Sequence, residues 1–230
     1  MTSSRVGSAR RRRRPTRGGQ VLSEDLIVDT SLRLIELHGA EGLSMRRLGA
    51  ALGADATAVY RYFANKHQLL LALADELIGR TFAGFEPTGQ WQRDLRTLAG
   101  LIHGVNLAHP RAAAVVTARV TGRPHELAAV ETIIGILRGA GFTPARAVRH
   151  YHCFISLVLA FSALDSAMCS GDKAELAAET ATWREVYREL PAGQYPNIAE
   201  GADLLVAQMR HSPFEATVEL FLSALAARLD

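Results

Sequence analysis

Small, aromatic and cationic side chains occur between Gly42 and His67 at positions that could contact the phosphates and base edges of DNA. Val59 and Phe63 lie four residues apart and fall on one side of a helix. The opposite side presents Ala56, Thr57, Tyr60 and Arg61. Small residues near a helix N-terminus let the helix enter a major groove, and a tyrosine hydroxyl and a guanidinium can reach flanking phosphates. The pattern therefore predicts a surface that binds double-stranded DNA.

Side-chain chemistry assigns a role to each residue of this surface. Thr57 and Ala56 are the candidates for base contact, and Ala58 can meet a thymine methyl group. The predicted phosphate contacts are Ser44, Tyr60, Arg61 and Lys66, and Arg46 and Arg47 belong to the same predicted DNA-binding surface. Lys66 lies in the first turn of a further helix, where free backbone N–H groups also favour an anion.

Two short helices joined by a glycine turn must position these side chains. Leu48 and Leu52 form one apolar pair, which can bury against the pair in the next helix. Ser44 and Asp55 stand at the N-cap positions of the two helices. Gly53 is predicted to make the sharp turn where the helices approach closely. The elements form a helix-turn-helix.

The same stretch resembles the DNA-binding domain of the TetR family of bacterial transcriptional regulators. The matching residues are Ser44, Arg46, Arg47, Leu48, Gly53, Val59, Tyr60, Tyr62, Phe63 and Lys66. Asp55 departs from the serine that is frequent in the family, but it can cap equally well. The resemblance covers 22–77 strongly. It implies an all-α fold, with a homeodomain-like helix-turn-helix followed by a helical bundle for ligand binding and dimerisation.

The composition predicts a cytoplasmic protein with no membrane partner. The chain has 230 residues and only two cysteines, Cys153 and Cys169, which gives no disulfide framework. Its longest nearly uncharged apolar run, 153–164, is too short for a bilayer. No apolar segment of a secretory signal follows the N-terminal arginines.

The positive charge is concentrated at the N-terminus. Residues 1–20 carry seven arginines and no acid, although the whole chain has a net charge of only +3. The run comprises Arg10, Arg11, Arg12, Arg13 and Arg14. Such a segment cannot form a packed core and is expected to be disordered. It is interpreted as an arm that follows phosphates or enters a minor groove, the alternative being a solubilising tail.

Apolar periodicity divides the chain into an arm at 1–20, a DNA-binding domain with a linking helix at 21–82, and a ligand-binding and dimerisation domain at 83–230. The predicted helices are 22–37, 44–52, 55–63, 65–82, 91–107, 110–119, 124–138, 143–168, 172–190 and 213–229. Residues 191–201 are predicted to form a loop, because they combine glycine with two prolines. No strand pattern is present.

Helices 143–168 and 213–229 are the most apolar on all sides, and they are predicted to form a four-helix interface with a second copy. The proposed interface residues are Phe154, Val158, Phe161, Phe214, Val218, Phe221 and Leu225. A homodimer would read two half-sites of a palindromic operator about 34 to 36 Å apart. The alternative is that both are ordinary core helices.

The remaining helices of the second domain are expected to enclose a site for a small-molecule effector. Its predicted lining is Leu98, Ile102, His103, Asn106, Thr117, Tyr151, Phe154, Ser156, Leu157 and Trp183. Each of these could instead be a plain core or surface residue. This half is similar to the tetracycline repressor subgroup at 91–92, 141–142 and 195–196. However, Leu98, Thr117 and Leu164 stand where that repressor has its drug- and metal-binding residues, so no metal or cofactor is predicted.

The sequence carries no convincing enzyme motif. His150 and His152 point to different sides of a helix and cannot easily share a metal ion. Phosphate-binding glycine loops, nucleophile elbows and His-Glu-x-x-His are absent from the sequence. The prediction is a ligand-responsive transcriptional regulator, with repression as the favoured direction. Two alternatives stay open: a ligand-independent DNA-binding protein, and an all-α small-molecule carrier or enzyme with a degenerate DNA-binding unit.

Overall fold

The computed structural model describes residues 21–116, 119–170, 172–209 and 211–229. Within these ranges the chain forms α-helices and no β-strand, as predicted. The helices are α1 (Glu24–His38), α2 (Met45–Ala51), α3 (Ala56–Tyr60), α4 (Lys66–Phe82), α5 (Trp91–Ala108), α6 (Pro110–Val116), α7 (Pro124–Gly139), α8 (Pro144–Ser170), α9 (Lys173–Glu189), α10 (Pro196–Gln208) and α11 (Phe214–Ala226).

Polar side chains begin the first four helices. The side-chain oxygens of Ser23, Ser44, Asp55 and Asn65 each accept a hydrogen bond from a backbone N–H in the first turn of the helix that follows. These bonds satisfy N–H groups that have no partner within the helix. The predicted N-caps Ser44 and Asp55 are therefore confirmed, and Asp55 acts as a cap despite its charge.

Two glycines give the helix-turn-helix its shape, and they do so in different ways. Gly53 has a φ of +61°, which explains the turn. The close approach, however, is at Gly49 in α2. A Cβ there would lie 3.0 Å from both the carbonyl oxygen of Ala54 and the amide nitrogen of Ala56. Gly53 was predicted to make the turn, and its positive φ confirms that part of the prediction.

The first apolar core is formed by helices α1, α2, α3 and α4, and it also includes residues of α6. Leu48, Leu52, Val59 and Phe63 are buried in it, as the helix periodicity predicted. Helix α3 is shorter than predicted, because it ends at Tyr60 and Phe63 follows in a turn. Ala112 and Val116 of α6 complete this core. Helix α6 is held to α1 by a 3.0 Å hydrogen bond from the Ala112 amide to the Glu36 carboxylate.

A second apolar core is built from α5, α7, α8 and α11. Its fully buried side chains include Leu98, Leu137, Phe142, Phe154 and Leu222. Helix α4 packs against α5 and α7. The linking helix therefore contacts the second bundle as well as the first core.

Helix α10 corrects the prediction of a loop at 191–201. Pro196 begins this helix, where its fixed φ and missing N–H are tolerated. Helices α9 and α10 pack against each other, and in the described part of the chain neither makes extensive contact with the main body. The resulting α9–α10 hairpin leaves Trp183, Leu204 and Leu205 exposed.

Helix α8 is long and apolar enough, by length and composition, to cross a bilayer over Pro144–Cys169. This differs from the shorter run recognised in the sequence. A single such helix is weak evidence for a membrane protein, since core helices of soluble proteins pass the same test. Here α8 packs on α5 and α7 and carries Asp165, which is buried and hydrogen bonded.

Candidate DNA-binding surface and effector cavity

The predicted DNA-facing side chains come from α2, α3, the caps of these helices and the start of α4, and most of them are exposed. The exposed members are Ser44, Arg46, Arg47, Thr57, Tyr60, Arg61 and Lys66. Ala56 and Ala58 are half-buried, and Ala58 packs partly on the first core. In the described residues no ion pair joins these arginines or Lys66 to an acid. Their charges are available for phosphates.

The carboxylate of Asp55 accepts a 2.8 Å hydrogen bond from the Thr57 amide. This bond, together with one to the Thr57 side chain, lowers the pKa of Asp55 below its ordinary value. The negative charge is thus tied to the N-terminus of α3, where helix N–H groups favour it. The predicted arginine arm, Arg10 to Arg14, lies outside the described residues.

A cavity of about 310 Å³ lies between α4 and the second bundle. Its walls are mainly apolar. The lining residues are Ala74, Leu77, Ile78, Thr81 and Phe82 of α4; Ile102, Val105 and Asn106 of α5; Val116, Arg119 and Val120; Glu126, Ala129, Val130 and Ile133 of α7; and Tyr151, His152, Ile155 and Leu159 of α8. The volume and lining suit a small, largely apolar molecule with a few polar groups.

Three of the ten predicted ligand residues line this cavity: Ile102, Asn106 and Tyr151. Burial and the nearby Glu126 charge raise the pKa of Tyr151, so its hydroxyl stays protonated and can donate. Thr117 lies outside the described residues. The other six occupy different places, which helix periodicity alone could not fix.

Leu98 and Phe154 are buried in the second core, and Leu157 packs against it. Ser156 is exposed on α8, and Trp183 is exposed on α9 with its ring 5.4 Å from Tyr187. These five residues do not line this cavity.

His103 is held in a partly buried polar cluster rather than in the cavity wall. Its Nε2 atom is 2.7 Å from Asp165 Oδ2, and its ring stacks on Phe214 at 4.0 Å. The Ser212 hydroxyl donates to the same Asp165 oxygen at 2.5 Å. Serine and histidine therefore both bond to the carboxylate instead of to each other. This is not the arrangement in which a histidine activates a serine nucleophile.

Sequence reasoning missed the polar residues Arg119 and Glu126 and the whole contribution of α4. A usable signal existed for α4, because Ala74, Leu77, Ile78 and Thr81 recur at helical spacing on one side. These residues were assigned to the linking role alone. The structure gives the linking helix a second role as a wall of the cavity.

The predicted dimer-interface residues are buried inside a single chain. Phe154, Val158, Phe214, Val218 and Leu225 are core residues, and Phe161 and Phe221 pack against that core. The five core residues have little surface left for a second copy, because apolar coverage on all sides cannot distinguish the face turned to the chain's own core. The exposed faces of the same two helices carry other residues: Cys153, Ser156, Ala160 and Leu164 of α8, and Ala216, Leu220, Ser223 and Ala227 of α11.

An all-helical chain with a helix-turn-helix and a second helical bundle around a cavity defines a class of DNA-binding regulator. Residues 27–73 match the family model for bacterial regulatory proteins of the tetR family. Residues 83–229 match the model for the tetracyclin repressor-like C-terminal domain. The chain belongs to the TetR family and is a transcriptional regulator.

Known relatives agree with this assignment. An HTH-type transcriptional regulator of Saccharopolyspora erythraea is 29% identical over 186 residues, which cover 80% of this chain and 78% of that protein. The crystal structure of a possible TetR family transcriptional regulator from Streptomyces coelicolor A3(2) has 30% identity and a TM-score of 0.71, covering 90% of this chain and 100% of that one. The Streptomyces coelicolor protein ActR in complex with actinorhodin has a TM-score of 0.78 at 23% identity, over 90% of this chain and 98% of that one. This last similarity supports the fold.

Proposed function

We propose that this chain is an effector-responsive repressor that binds a palindromic operator as a homodimer and is released or repositioned when a small molecule occupies the cavity. The observation that carries the proposal is the double role of α4. Five of its residues line the cavity. On the same helix, Leu69, Leu70 and Leu73 are buried in the core that supports the helix-turn-helix.

This arrangement lets an occupant act on DNA binding at a distance. A molecule in the cavity contacts α4 directly, and α4 carries the DNA-binding surface with it. In a dimer, a shift of α4 changes the spacing of the two α3 helices. An effector works only to the extent that it favours one spacing over the other. Residues 21–82 would read DNA, and 83–230 would bind the effector and the second copy.

Two exposed apolar surfaces of the single chain support the proposal of a dimer. The exposed faces of α8 and α11 consist largely of small side chains with Leu164 and Leu220, and Leu220 is 71% exposed. Small residues allow helices of two copies to approach closely. The α9–α10 hairpin also exposes Trp183 and Leu204. Two packed helices alone bury too little apolar surface for stability, so a second copy would supply what is missing.

The lining of the cavity indicates the class of effector. Its apolar walls favour a molecule with an extended hydrophobic body, and Asn106, Tyr151 and Glu126 offer hydrogen bonds to a few polar groups. ActR, which has the same fold, binds actinorhodin. For this protein we propose a largely apolar compound with a few polar groups. The role is binding rather than catalysis, in the cytoplasm.

Operator selection from random duplex DNA tests the proposal. We expect an enriched palindrome, one dimer bound per site, and an affinity that falls steeply as salt rises. A library of hydrophobic compounds is then screened for release of that duplex. Enrichment without any compound that acts through the cavity would favour the ligand-independent alternative. A failure to enrich any sequence, with compounds still binding in the cavity, would favour the carrier alternative.

A further inference from the structure

The hydroxyl group of Thr121 lies between two carboxylates. Its Oγ1 atom is 2.9 Å from Glu126 Oε2 and 3.4 Å from Asp75 Oδ1. Thr121 and Asp75 are both buried. A hydroxyl donates only one hydrogen, so it can serve one carboxylate at a time. The shorter distance assigns it to Glu126 in this structure.

Glu126 lies in the first turn of α7, and its carboxylate contacts both the cavity and the turn before α7. It lines the cavity wall. Its Oε2 atom also accepts hydrogen bonds from the amides of Thr121, at 2.8 Å, and Gly122, at 2.6 Å. The same carboxylate oxygen therefore stabilises the turn at Thr121 and Gly122. A molecule that pushes Glu126 aside must weaken these bonds.

Asp75 belongs to α4 and holds the start of α7. Its carboxylate accepts from the Glu126 amide at 2.9 Å and from the His125 amide at 3.4 Å, which caps the first turn of α7. The Arg123 guanidinium lies 3.9 Å away. Four residues further along α4, a Cβ on Gly79 would lie 2.7 Å from the His125 ring. Helix α4 and the start of α7 are thus in close contact over one turn.

We propose that Thr121 is a positioning residue that reports the occupancy of the cavity to α4. When an occupant displaces Glu126, the Thr121 hydroxyl turns to Asp75, and the start of α7 shifts against α4. The hydroxyl has two alternative acceptors, one on each side, and this gives the junction two discrete arrangements of the kind that coupling between sites requires. The inference rests on the proposed function and names the contact through which the effector acts.

A covalent occupant tests this without knowledge of the natural effector. Val130 lines the cavity four residues after Glu126, on the same face of α7. Val130→Cys is made in a Cys153→Ser, Cys169→Ser background, because both native thiols are exposed. The protein is labelled with monobromobimane, and its affinity for the selected operator is measured before and after labelling. Glu131→Cys is the matched control, since Glu131 is the next residue of α7 and is exposed.

We expect the label at position 130 to weaken operator binding about tenfold, and the label at position 131 to have little effect. With Thr121→Val, the effect of the label at position 130 should fall below about threefold. Thr121→Ser keeps the hydroxyl and should restore the full effect, which a loss of packing alone would not explain. Melting temperatures of the variants verify that each is folded.

An equal response to the label in the Thr121→Val background would overturn the inference and leave the proposed function standing. A label at position 130 that fills the cavity without changing operator affinity would overturn the inference and also the effector response in the proposed function. Absence of operator binding by the unlabelled protein would overturn the proposed function itself, and this inference with it.

Discussion

The hydroxyl of Tyr62 donates a 2.6 Å hydrogen bond to the backbone carbonyl of Leu22, which joins the turn after α3 to the chain just before α1. Tyr60, only two residues earlier, is 49% exposed and lies on the predicted DNA-binding surface. The two tyrosines thus allow the stability of the domain and the proposed DNA contact to be tested separately.

The pair allows a matched test. Tyr62→Phe should lower the free energy of unfolding by about 1 kcal/mol, because a partly buried hydrogen bond is lost. Tyr60→Phe should leave the melting temperature nearly unchanged and weaken operator binding, since its hydroxyl is expected to contact a phosphate. Thermal unfolding and a binding titration on both variants check this. The opposite pattern would exclude Tyr60 from the DNA contact.

Gly49→Ala should destabilise the helix-turn-helix by about 1 to 3 kcal/mol, as overpacking does elsewhere. The new Cβ would meet backbone atoms of Ala54 and Ala56, which cannot move aside as a side chain can. Gly100→Ala in α5 is the control, because no atom lies within 4 Å of its Cβ position. That variant should be neutral or slightly stabilising, since alanine favours a helix. Calorimetry of both variants measures the difference between their free energies of unfolding. An equal stability of the two would contradict the prediction.

Arg61→Ala and Lys66→Ala should each weaken operator binding and reduce the slope of log affinity against log salt by about one, if each residue neutralises one phosphate. Both side chains are exposed. Arg188→Ala on α9 is a suitable control, because this exposed arginine pairs with Asp203, away from α2 and α3. A salt slope that is unchanged in the two test variants would remove them from the phosphate contacts.

Leu220→Arg should convert the proposed dimer into a monomer of 24.9 kDa, because it places a charge on the exposed α11 face. Operator affinity should fall with it, since one half-site binds weakly. Leu37→Arg is the matched control, because it makes the same substitution at a leucine that is 70% exposed but lies on α1. This variant should keep the molar mass of the wild type. Light scattering measures the molar mass of each variant in solution. A Leu220→Arg variant that stays dimeric would place the interface elsewhere.

Acid should destabilise the second bundle through His150. Burial lowers the pKa of His150 below its ordinary value, and the charges of Arg146, Arg228 and Arg149 lower it further. Protonation is therefore harder in the folded than in the unfolded chain. The stability that neutral His150 provides is present above about pH 6.5 and is lost as the pH falls through the lower folded pKa.

His150→Phe is the variant that tests this, since the ring already packs edge-on against Phe142 at 4.9 Å. Its stability should rise relative to the wild type as the pH drops from 7 towards 5. His152→Gln, which alters an exposed neighbour, should show no such trend. Unfolding measured across this pH range distinguishes the two.

Sequence alone determined the features that depend on local chemistry. The caps at Ser23, Ser44, Asp55 and Asn65 could be read directly, because each needs only a short polar side chain before an apolar helix. The exposure of Tyr60 beside the buried Val59 followed from helix geometry. The family and the all-α class rested on the same short stretch.

Tertiary structure decided which side of each later helix meets which neighbour. Helix α8 is apolar nearly all round, so its pattern could not tell the core face of Phe154 from the exposed face of Ser156. The cavity wall on α4, the contact of His103 with Asp165, and the contact of Thr121 with Asp75 each depend on residues far apart in the chain. Periodicity fixes a direction around one helix axis only, and such contacts depend on how several axes are packed together.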